Sequence, residues 1–285
     1  MATGKALNGK PYAVNPHVRF DEWEVASAAT SRRGSLLYRL SNRIITCCLL
    51  ATMAFFVSGY SRVSSRTMSK TNANTTRNDG HKKVQLWKDG PYWAETNIGA
   101  EKPWESGYYF WWGDTVGYKR VNDAWVASDG SSSGFAFETK NTPTCKKTLR
   151  SGGWITTGDI LTPKHDAAHV QWGGRWRMPT LRELIELEFK CDWTWTVTND
   201  VNGYVIRGKG NYASASIFLP AAGYGYGTLL GYVGSRGCYW PSIPHPDNSI
   251  TEALFFDSKS HDGTILRERS DGVPIRPVQG SSNSR

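Results

Sequence analysis

Thr180-Leu181-Arg182-Glu183-Leu184-Ile185-Glu186-Leu187-Glu188-Phe189-Lys190 is the stretch on which the interpretation of the fold rests. Its first and fourth residues, Thr180 and Glu183, have the spacing of a capping box. In that motif each side chain accepts a hydrogen bond from a backbone N–H that the first helical turn leaves unpaired. The apolar side chains that follow recur at i, i+3 and i+4, which is typical of a helix with one buried face. We therefore expect a helix that ends near Lys190.

Short strands are predicted after this helix. β-Branched and aromatic residues form brief runs there, and turns rich in Gly, Pro, Asn and Asp separate them. The predicted strands are Trp193–Val197, Gly203–Arg207, Ser216–Leu219, Gly237–Trp240, Ala253–Phe256 and Pro274–Val278.

A second helix is predicted before the capping box. Thr162 as the N-cap and Pro163 at the first helical position predict a helix that runs to about Gln171 and stops at Gly173-Gly174. The other predicted features are a strand pair at Val84–Trp93, a helical turn at Pro103–Gly107, a buried aromatic strand at Tyr108–Gly113 and an irregular excursion at 114–153. Two central helices, several short antiparallel strands and long irregular loops indicate the α+β class.

The composition favours a globular domain that is rich in rings and turns. The chain of 285 residues has 13 Trp, 13 Tyr and 29 Gly, with 39% hydrophobic and 21% charged residues. Large rings bury much area per residue, and Gly permits tight turns. The formal net charge is +9, but the basic residues are scattered along the chain, whereas nucleic-acid binders cluster them. We expect no nucleic-acid partner.

An apolar run near the N-terminus predicts export. Residues 44–57 are uncharged, Arg39 and Arg43 precede them, and Ser58-Gly59 follow. A spanning helix needs about 20 apolar residues, so this shorter run is typical of a secretory signal, with an uncleaved anchor as the alternative. The expected organisation is an unstructured leader at 1–38, a signal peptide or anchor at 39–59, a flexible tether at 60–80, one domain at 81–280 and a disordered tail at 281–285. For the leader, a true start further in and an upstream sequence translated from a misplaced start are both left open. The expected location is the cell surface or the medium, with membrane contact only through an uncleaved leader.

Three cysteines follow the leader: Cys145, Cys191 and Cys238. In an oxidising compartment this number fits one disulfide and one thiol, and the sequence leaves all three pairings open.

Short motifs in a fixed order resemble a known family. The motifs are Trp93–Ala100, Tyr109–Asp114, Trp172–Thr180, Ile217–Tyr224, Gly237–Ser242, Ala253–Phe256 and Gly272–Val278. Together, over roughly residues 84–279, they resemble the Fibrobacter succinogenes major paralogous domain. The resemblance implies a C-type-lectin-like fold, export from a bacterial cell and a binding or surface role. It implies no agreed ligand and no catalytic residues. Pro241 and Pro274 depart from the family pattern, which usually has Ser at both places.

No sequence pattern predicts a cofactor, a metal or a catalytic set. His165 and His169 lie one helical turn apart, but Asp166 stands where zinc proteases have Glu, and no third ligand is evident. The calcium motifs of sugar-binding C-type lectins are absent from the sequence, as is the C-terminal cysteine pair of formylglycine-generating enzymes. Paired carboxylates for glycoside hydrolysis stay open. We expect a protein that is not an enzyme.

The candidate ligand site lies in the C-terminal third. Loops that bind ligands are rich in Tyr, Asn and Arg, and the predicted binding face comprises the segments 241–251 and 257–271. The candidate residues are Tyr224, Tyr226, His245, Asp247, Asn248, Arg267 and Arg269. The expected function is an exported binding module for a glycan or protein ligand. The alternatives are a hydrolase or modifying enzyme on the same fold and a structural protein of the cell envelope.

Overall fold

The structure is a computed structural model that describes residues 80–131, 135–137, 145–246, 249–261 and 263–280. The expectations for the leader at 1–38, the apolar run at 39–59, the tether up to residue 79 and the tail at 281–285 fall outside the described residues.

Three helices occur in the described residues, where the sequence predicts two. They are α1 (Lys146–Ser151), α2 (Ala167–Trp172) and α3 (Leu181–Lys190). The capping box predicted for α3 is confirmed. The backbone N–H of Glu183 donates to Thr180 Oγ1 over 3.2 Å, and the N–H of Thr180 donates to Glu183 Oε2 over 2.8 Å.

The predicted start of the second helix, now α2, is wrong. Asp166, not Thr162, is its N-cap: one carboxylate oxygen accepts from the N–H groups of Ala168 and His169, at 3.0 and 3.1 Å. The Thr162 hydroxyl instead donates to Gly153 O over 2.9 Å. A carboxylate that accepts two backbone N–H groups outweighs the local Thr-Pro signal. The C-terminal stop is confirmed, because α2 ends before Gly173, whose φ is +68°.

The strands are short, and neighbours within each sheet are antiparallel. Their bounds are β1 (Lys83–Gln85), β2 (Tyr92–Ala94), β3 (Tyr109–Phe110), β4 (Tyr118–Val121), β5 (Ala124–Ala127), β6 (Trp176–Arg177), β7 (Cys191–Thr198), β8 (Val201–Gly208), β9 (Ser216–Pro220), β10 (Tyr224–Tyr226), β11 (Leu229–Gly231), β12 (Arg236–Tyr239), β13 (Ile250–Asp257), β14 (Gly263–Glu268), β15 (Val273–Pro274) and β16 (Val278–Gln279). The sheets have the orders β1-β2-β16-β6, β7-β8-β9, β10-β11, β12-β13-β14 and β15-β3-β4-β5. Antiparallel strands with few helices make an α+β fold, as the sequence predicts.

Several regions differ from the predicted pattern. The strand predicted at Tyr108–Gly113 is only the two residues of β3, and Pro103–Gly107 is a turn without a helix. The excursion at 114–153 contains the β4–β5 hairpin and α1. Asn122 and Asp123 turn that hairpin with φ of +47° and +61°, a conformation that these two residue types tolerate better than most. The segment 257–271, predicted as a binding loop, contains β14. The strand predicted at Pro274–Val278 is two strands, β15 and β16, and Pro274 pairs with Tyr109.

The buried side chains form two main cores on opposite faces of the β12-β13-β14 sheet. Successive side chains of a strand point to opposite faces. Leu254 and Phe256 of β13 therefore join the first core, and Ala253 joins the second. The first core also takes the apolar face of α3 and one face of the β7-β8-β9 sheet. The second takes Trp112 and Trp240, and a smaller third core is built on β3, β4 and β5.

A fully buried arginine ties separate parts of the chain together. Arg276 Nε donates to Asn97 Oδ1 over 2.8 Å, and its guanidinium also donates to the carbonyl oxygens of Ala94, Glu95 and Phe218 at 3.2, 3.0 and 2.9 Å. These bonds join the segment after β2, the strand β9 and the last segment of the domain. Burial lowers the pKa of Arg276 to about 10, so the guanidinium stays charged at neutral pH.

No disulfide joins the three cysteines of the described residues. Cys145 is exposed, Cys191 lies in the first core and Cys238 lies in the second. Among the described residues, the helices are too short or too polar to cross a bilayer.

Candidate functional site

Three of the predicted site residues are inside the protein. Tyr224, Arg267 and Arg269 are fully buried, so the expectation that they lie on an exposed loop is wrong. Arg267 belongs to β14 and points inward, where its guanidinium lies 3.6 Å from the centre of the Tyr224 ring. One of its nitrogens is 2.8 Å from a carboxylate oxygen of Asp271. A ring face and a carboxylate together compensate a buried cation.

Arg269 is a second buried arginine whose guanidinium lies near an aromatic ring. Its Nε donates to Ile250 O over 3.2 Å, and its guanidinium lies 5.2 Å from the centre of the Trp112 ring. Burial lowers the pKa of Arg269 to about 10. Arg269 therefore stays charged at neutral pH and links the start of β13 to Trp112 of the second core.

The remaining predicted tyrosine, Tyr226, belongs to a surface feature that we call the tyrosine hairpin, residues 224–236, built on β10 and β11. The ring centre of Tyr224 lies 5.9 Å from that of Tyr226 and 5.1 Å from that of Tyr232. Tyr226 and Tyr232 are half-buried. The guanidinium of Arg236 lies over the Tyr232 ring, 4.0 Å from its centre. The hairpin thus presents two partly exposed rings and one cation.

The tyrosine hairpin also carries unusually exposed apolar side chains. Val197, Val233 and Leu229 are the three most exposed large apolar residues in the described part of the chain, at 59%, 55% and 50%. Val233 and Leu229 lie on the tyrosine hairpin, and Val197 is paired with Asn202 on the neighbouring β7–β8 hairpin. Asn202 Nδ2 donates to Gly234 O over 2.8 Å. The two hairpins are therefore adjacent.

Tyr232 has a strained backbone. Its φ is +61°, a left-handed conformation that is a genuine outlier for a bulky residue and costs about 1–3 kcal/mol. Its carbonyl accepts from the N–H of Arg236 at 3.0 Å and from the Ser235 hydroxyl at 2.9 Å. Strain of this kind persists only where surrounding bonds impose it, and it clusters at functional sites.

The base of the tyrosine hairpin is held rigidly. Gly225 and Gly272 exchange two backbone hydrogen bonds of 2.7 and 2.8 Å, and the N–H of Phe137 donates to Gly227 O over 2.8 Å. A Cβ at Gly223 would lie 2.0 Å from Gly231 O, and the φ of Gly223 is +64°. The exposed side chains therefore project from a fixed support, which limits the entropy lost on binding.

His245 lies close enough to Glu252 of β13 for its charge to act on that carboxyl. Both residues are half-buried. Burial raises the pKa of the Glu252 carboxyl, and the charge of His245 opposes that rise. Asp247 and Asn248 lie outside the described residues, so two of the seven predicted site residues have no structural account.

The His165–His169 segment has structural contacts. The His165 ring stacks on Trp154 with centres 4.2 Å apart. The carboxylate of Asp166 accepts from three backbone N–H groups, those of Ala168, His169 and Met178. Within the described residues, no three His, Cys, Asp or Glu side chains are grouped as metal ligands.

Comparison of the chain with protein-family models, curated proteins and solved structures finds no match.

Sequence reasoning missed Leu229, Val233 and Arg236 of the tyrosine hairpin. The alternation Gly223-Tyr224-Gly225-Tyr226-Gly227 was the signal that could have found a hairpin here. Exposure of an apolar side chain depends on tertiary packing, so no local pattern could have shown it.

Proposed function

We propose that the chain is a C-type-lectin-like binding module, exported to a bacterial surface or secreted, that recognises a glycan or protein ligand through the tyrosine hairpin. The observation that carries the proposal is the exposure of Leu229 and Val233 beside a strained tyrosine and an arginine. The family resemblance of the sequence supports the fold and the export.

The chemistry of the hairpin suits such a ligand. Covering Leu229 and Val233, each about half exposed, would contribute about 1 kcal/mol per side chain. Tyr226 and Tyr232 offer partly exposed ring faces, against which the C–H face of a sugar or an apolar side chain can pack. Arg236 supplies directional N–H donors, and arginine and tyrosine recur among the residues that dominate binding energies.

Binding of the full-length chain to a glycan array and to intact bacterial cells tests the proposal. The double variant Leu229→Ser/Val233→Ser is expected to weaken binding by roughly tenfold or more, because about 2 kcal/mol of apolar contact is lost. Val170→Ser is the matched control, since Val170 on α2 is 48% exposed and lies outside the hairpin.

Equal binding by the double variant and the native chain would refute the role of the hairpin. A negative array together with tight retention by isolated cell wall would favour a structural protein of the envelope.

A further inference from the structure

Strand β7 forms an open edge of the β7-β8-β9 sheet. It spans eight residues and pairs with β8 along one side. Within the described residues, no backbone group outside its own hairpin bonds to the main chain of Trp193, Trp195 or Val197. The opposite edge is different, because Arg276 donates to Phe218 O of β9. Within the part of the chain that the structure describes, the β9 edge thus has a bond from outside the sheet, whereas the outward main chain of β7 from Trp193 to Val197 has none to another backbone group.

The hydrogen-bond pattern shows which groups of β7 point outward. Asn202 O accepts from the N–H of Ala221, and the N–H of Gly208 donates to Ala215 O, so both residues of β8 bond toward β9. In an antiparallel sheet the bonding direction alternates along a strand. Tyr204 and Ile206 therefore also bond toward β9, and their β7 partners bond away from β8. The residues of β7 whose backbone N–H and C=O groups point away from β8 are therefore Cys191, Trp193, Trp195 and Val197.

The edge lacks the devices that usually prevent strand pairing. Natural edge strands are protected by Lys, Pro, a bulge or short length. β7 contains no Lys and no Pro, is eight residues long and pairs with β8 without a bulge. Its single charged residue is Asp192, which lies at one end. One face of the strand carries Trp193, Trp195 and the 59% exposed Val197.

We propose that β7 pairs antiparallel with β7 of a second copy of the chain, with the two-fold axis at Trp195. In this register Trp195 opposes Trp195 of the second copy, and Trp193 opposes Val197. These are the residues whose N–H and C=O groups point outward, so six intermolecular backbone hydrogen bonds form. Apolar side chains meet across one face, and Thr194 meets Thr196 across the other.

The register avoids any conflict of charge. Asp192 opposes Thr198, so the two carboxylates of the dimer lie at opposite ends of the paired strands. The neighbouring register, with Thr194 on the axis, would need the N–H of Cys191, which already donates to Leu187 O at the end of α3. The strand is thus more complementary to its own copy in the Trp195 register than in the Thr194 register.

The dimer would carry two tyrosine hairpins, one from each copy of the chain. Val197 pairs with Asn202, and the Asn202 side chain bonds to Gly234 of the tyrosine hairpin, so each hairpin lies beside the paired strands. The pairing stands on the geometry of β7 and does not depend on the proposed ligand. If both hold, two linked sites raise the apparent affinity for a repetitive surface.

Variants that place opposite charges at Trp195 test the proposal. Their oligomeric state is measured by sedimentation velocity on the full chain at about 100 µM, a concentration well above a micromolar Kd. The native chain is expected to be dimeric. Trp195→Lys alone and Trp195→Glu alone are each expected to dimerise at least tenfold more weakly, because like charges then face each other across the axis. An equal mixture of the two is expected to regain the dimer as a mixed pair.

Thr194→Lys and Thr194→Glu are the matched controls, since Thr194 lies next to Trp195 but off the axis, and each is expected to remain dimeric. Val197→Pro covers the case in which both Trp195 variants fail to fold, because it removes an outward N–H and leaves the bonds to β8; it is expected to be monomeric. A monomeric native chain would overturn the proposal and leave the edge to an extended segment of another protein. Folded Trp195 variants that do not associate on mixing, or a dimeric Val197→Pro, would also overturn it.

Discussion

Glu252 carries a half-buried carboxyl on β13, next to His245. Burial raises its pKa in the folded chain, and His245 only partly offsets the rise. When the pKa of a carboxyl is higher in the folded chain than in the unfolded chain, the group stabilises the fold, and this contribution is complete below the unfolded pKa. That contribution is lost as the pH rises through the folded pKa. The ionised form of Glu252 therefore destabilises the fold at neutral pH.

We predict that Glu252→Gln is more stable than the native chain at pH 7 and that the advantage disappears below about pH 4, where both carry a neutral side chain. Urea unfolding at several pH values measures the difference. Glu186→Gln is the control: Glu186 makes a surface ion pair with Arg182 on α3, and such pairs contribute about 0–1 kcal/mol. A variant that is less stable than the native chain at pH 7 would contradict the role given to burial.

The cap of α2 allows a comparison at the scale of one element. Asp166 accepts from the N–H groups of Ala168, His169 and Met178, whereas Thr162 makes hydrogen bonds to the carbonyls of Gly153 and Trp154. We predict that Asp166→Ala lowers the free energy of unfolding by about 2–4 kcal/mol, because three backbone donors, two of them buried, lose their acceptor. Thr162→Ala is expected to lower it by about 1 kcal/mol. Thermal or urea unfolding measures both, and a larger loss for Thr162→Ala would restore the cap that the sequence predicts.

The elements that the sequence predicts well are those with strong local signals. The capping box determines where α3 begins, and the runs of β-branched and aromatic residues determine β7, β8 and β9. β7 and β8 extend beyond both predicted ends, and β9 extends one residue beyond its predicted C-terminal end. The missed elements are short hairpins, β4–β5 and β10–β11, and the strand β14. The hairpin strands are only three or four residues long, too short for a clear alternation, and β14 carries Thr, Arg and Glu among its apolar residues. β14 forms because it pairs along six residues with β13.

The candidate site was predicted less well for a related reason. Arg267 and Arg269 have the composition of a binding loop, but rings and carboxylates distant in sequence allow both to be buried. Tyr226 is half-buried on β10, and its role in ligand binding stays a prediction.

Each of the two main cores contains one cysteine, Cys191 in the first and Cys238 in the second. Modification of these thiols can therefore show whether the two cores unfold together. Burial raises the pKa of Cys191 to about 12, while hydrogen bonding with Thr148 lowers the pKa of the exposed Cys145. We predict that alkylation of the native chain modifies Cys145 quickly and modifies Cys191 and Cys238 only on unfolding.

Both cores share the β12-β13-β14 sheet, so the urea midpoints for modification of Cys191 and Cys238, read by peptide mass spectrometry, are expected to coincide. Midpoints that differ by more than about 0.5 M, roughly 1 kcal/mol, would show two separate units. Resistance of any cysteine after full unfolding without reductant would reveal a disulfide.

The pairing of β2 with β16 closes the domain on itself. Trp93 lies opposite Val278 and Tyr92 opposite Gln279, and Arg276 bonds to the segment that follows β2. The first and the last strands that the structure describes therefore lie in one sheet, so residues 83 and 279 are near each other. A unit with adjacent entry and exit can be inserted into a surface loop of another protein, or repeated along one polypeptide, without stretching its host. The same closure makes the domain a candidate for circular permutation, with the old ends joined by a short linker.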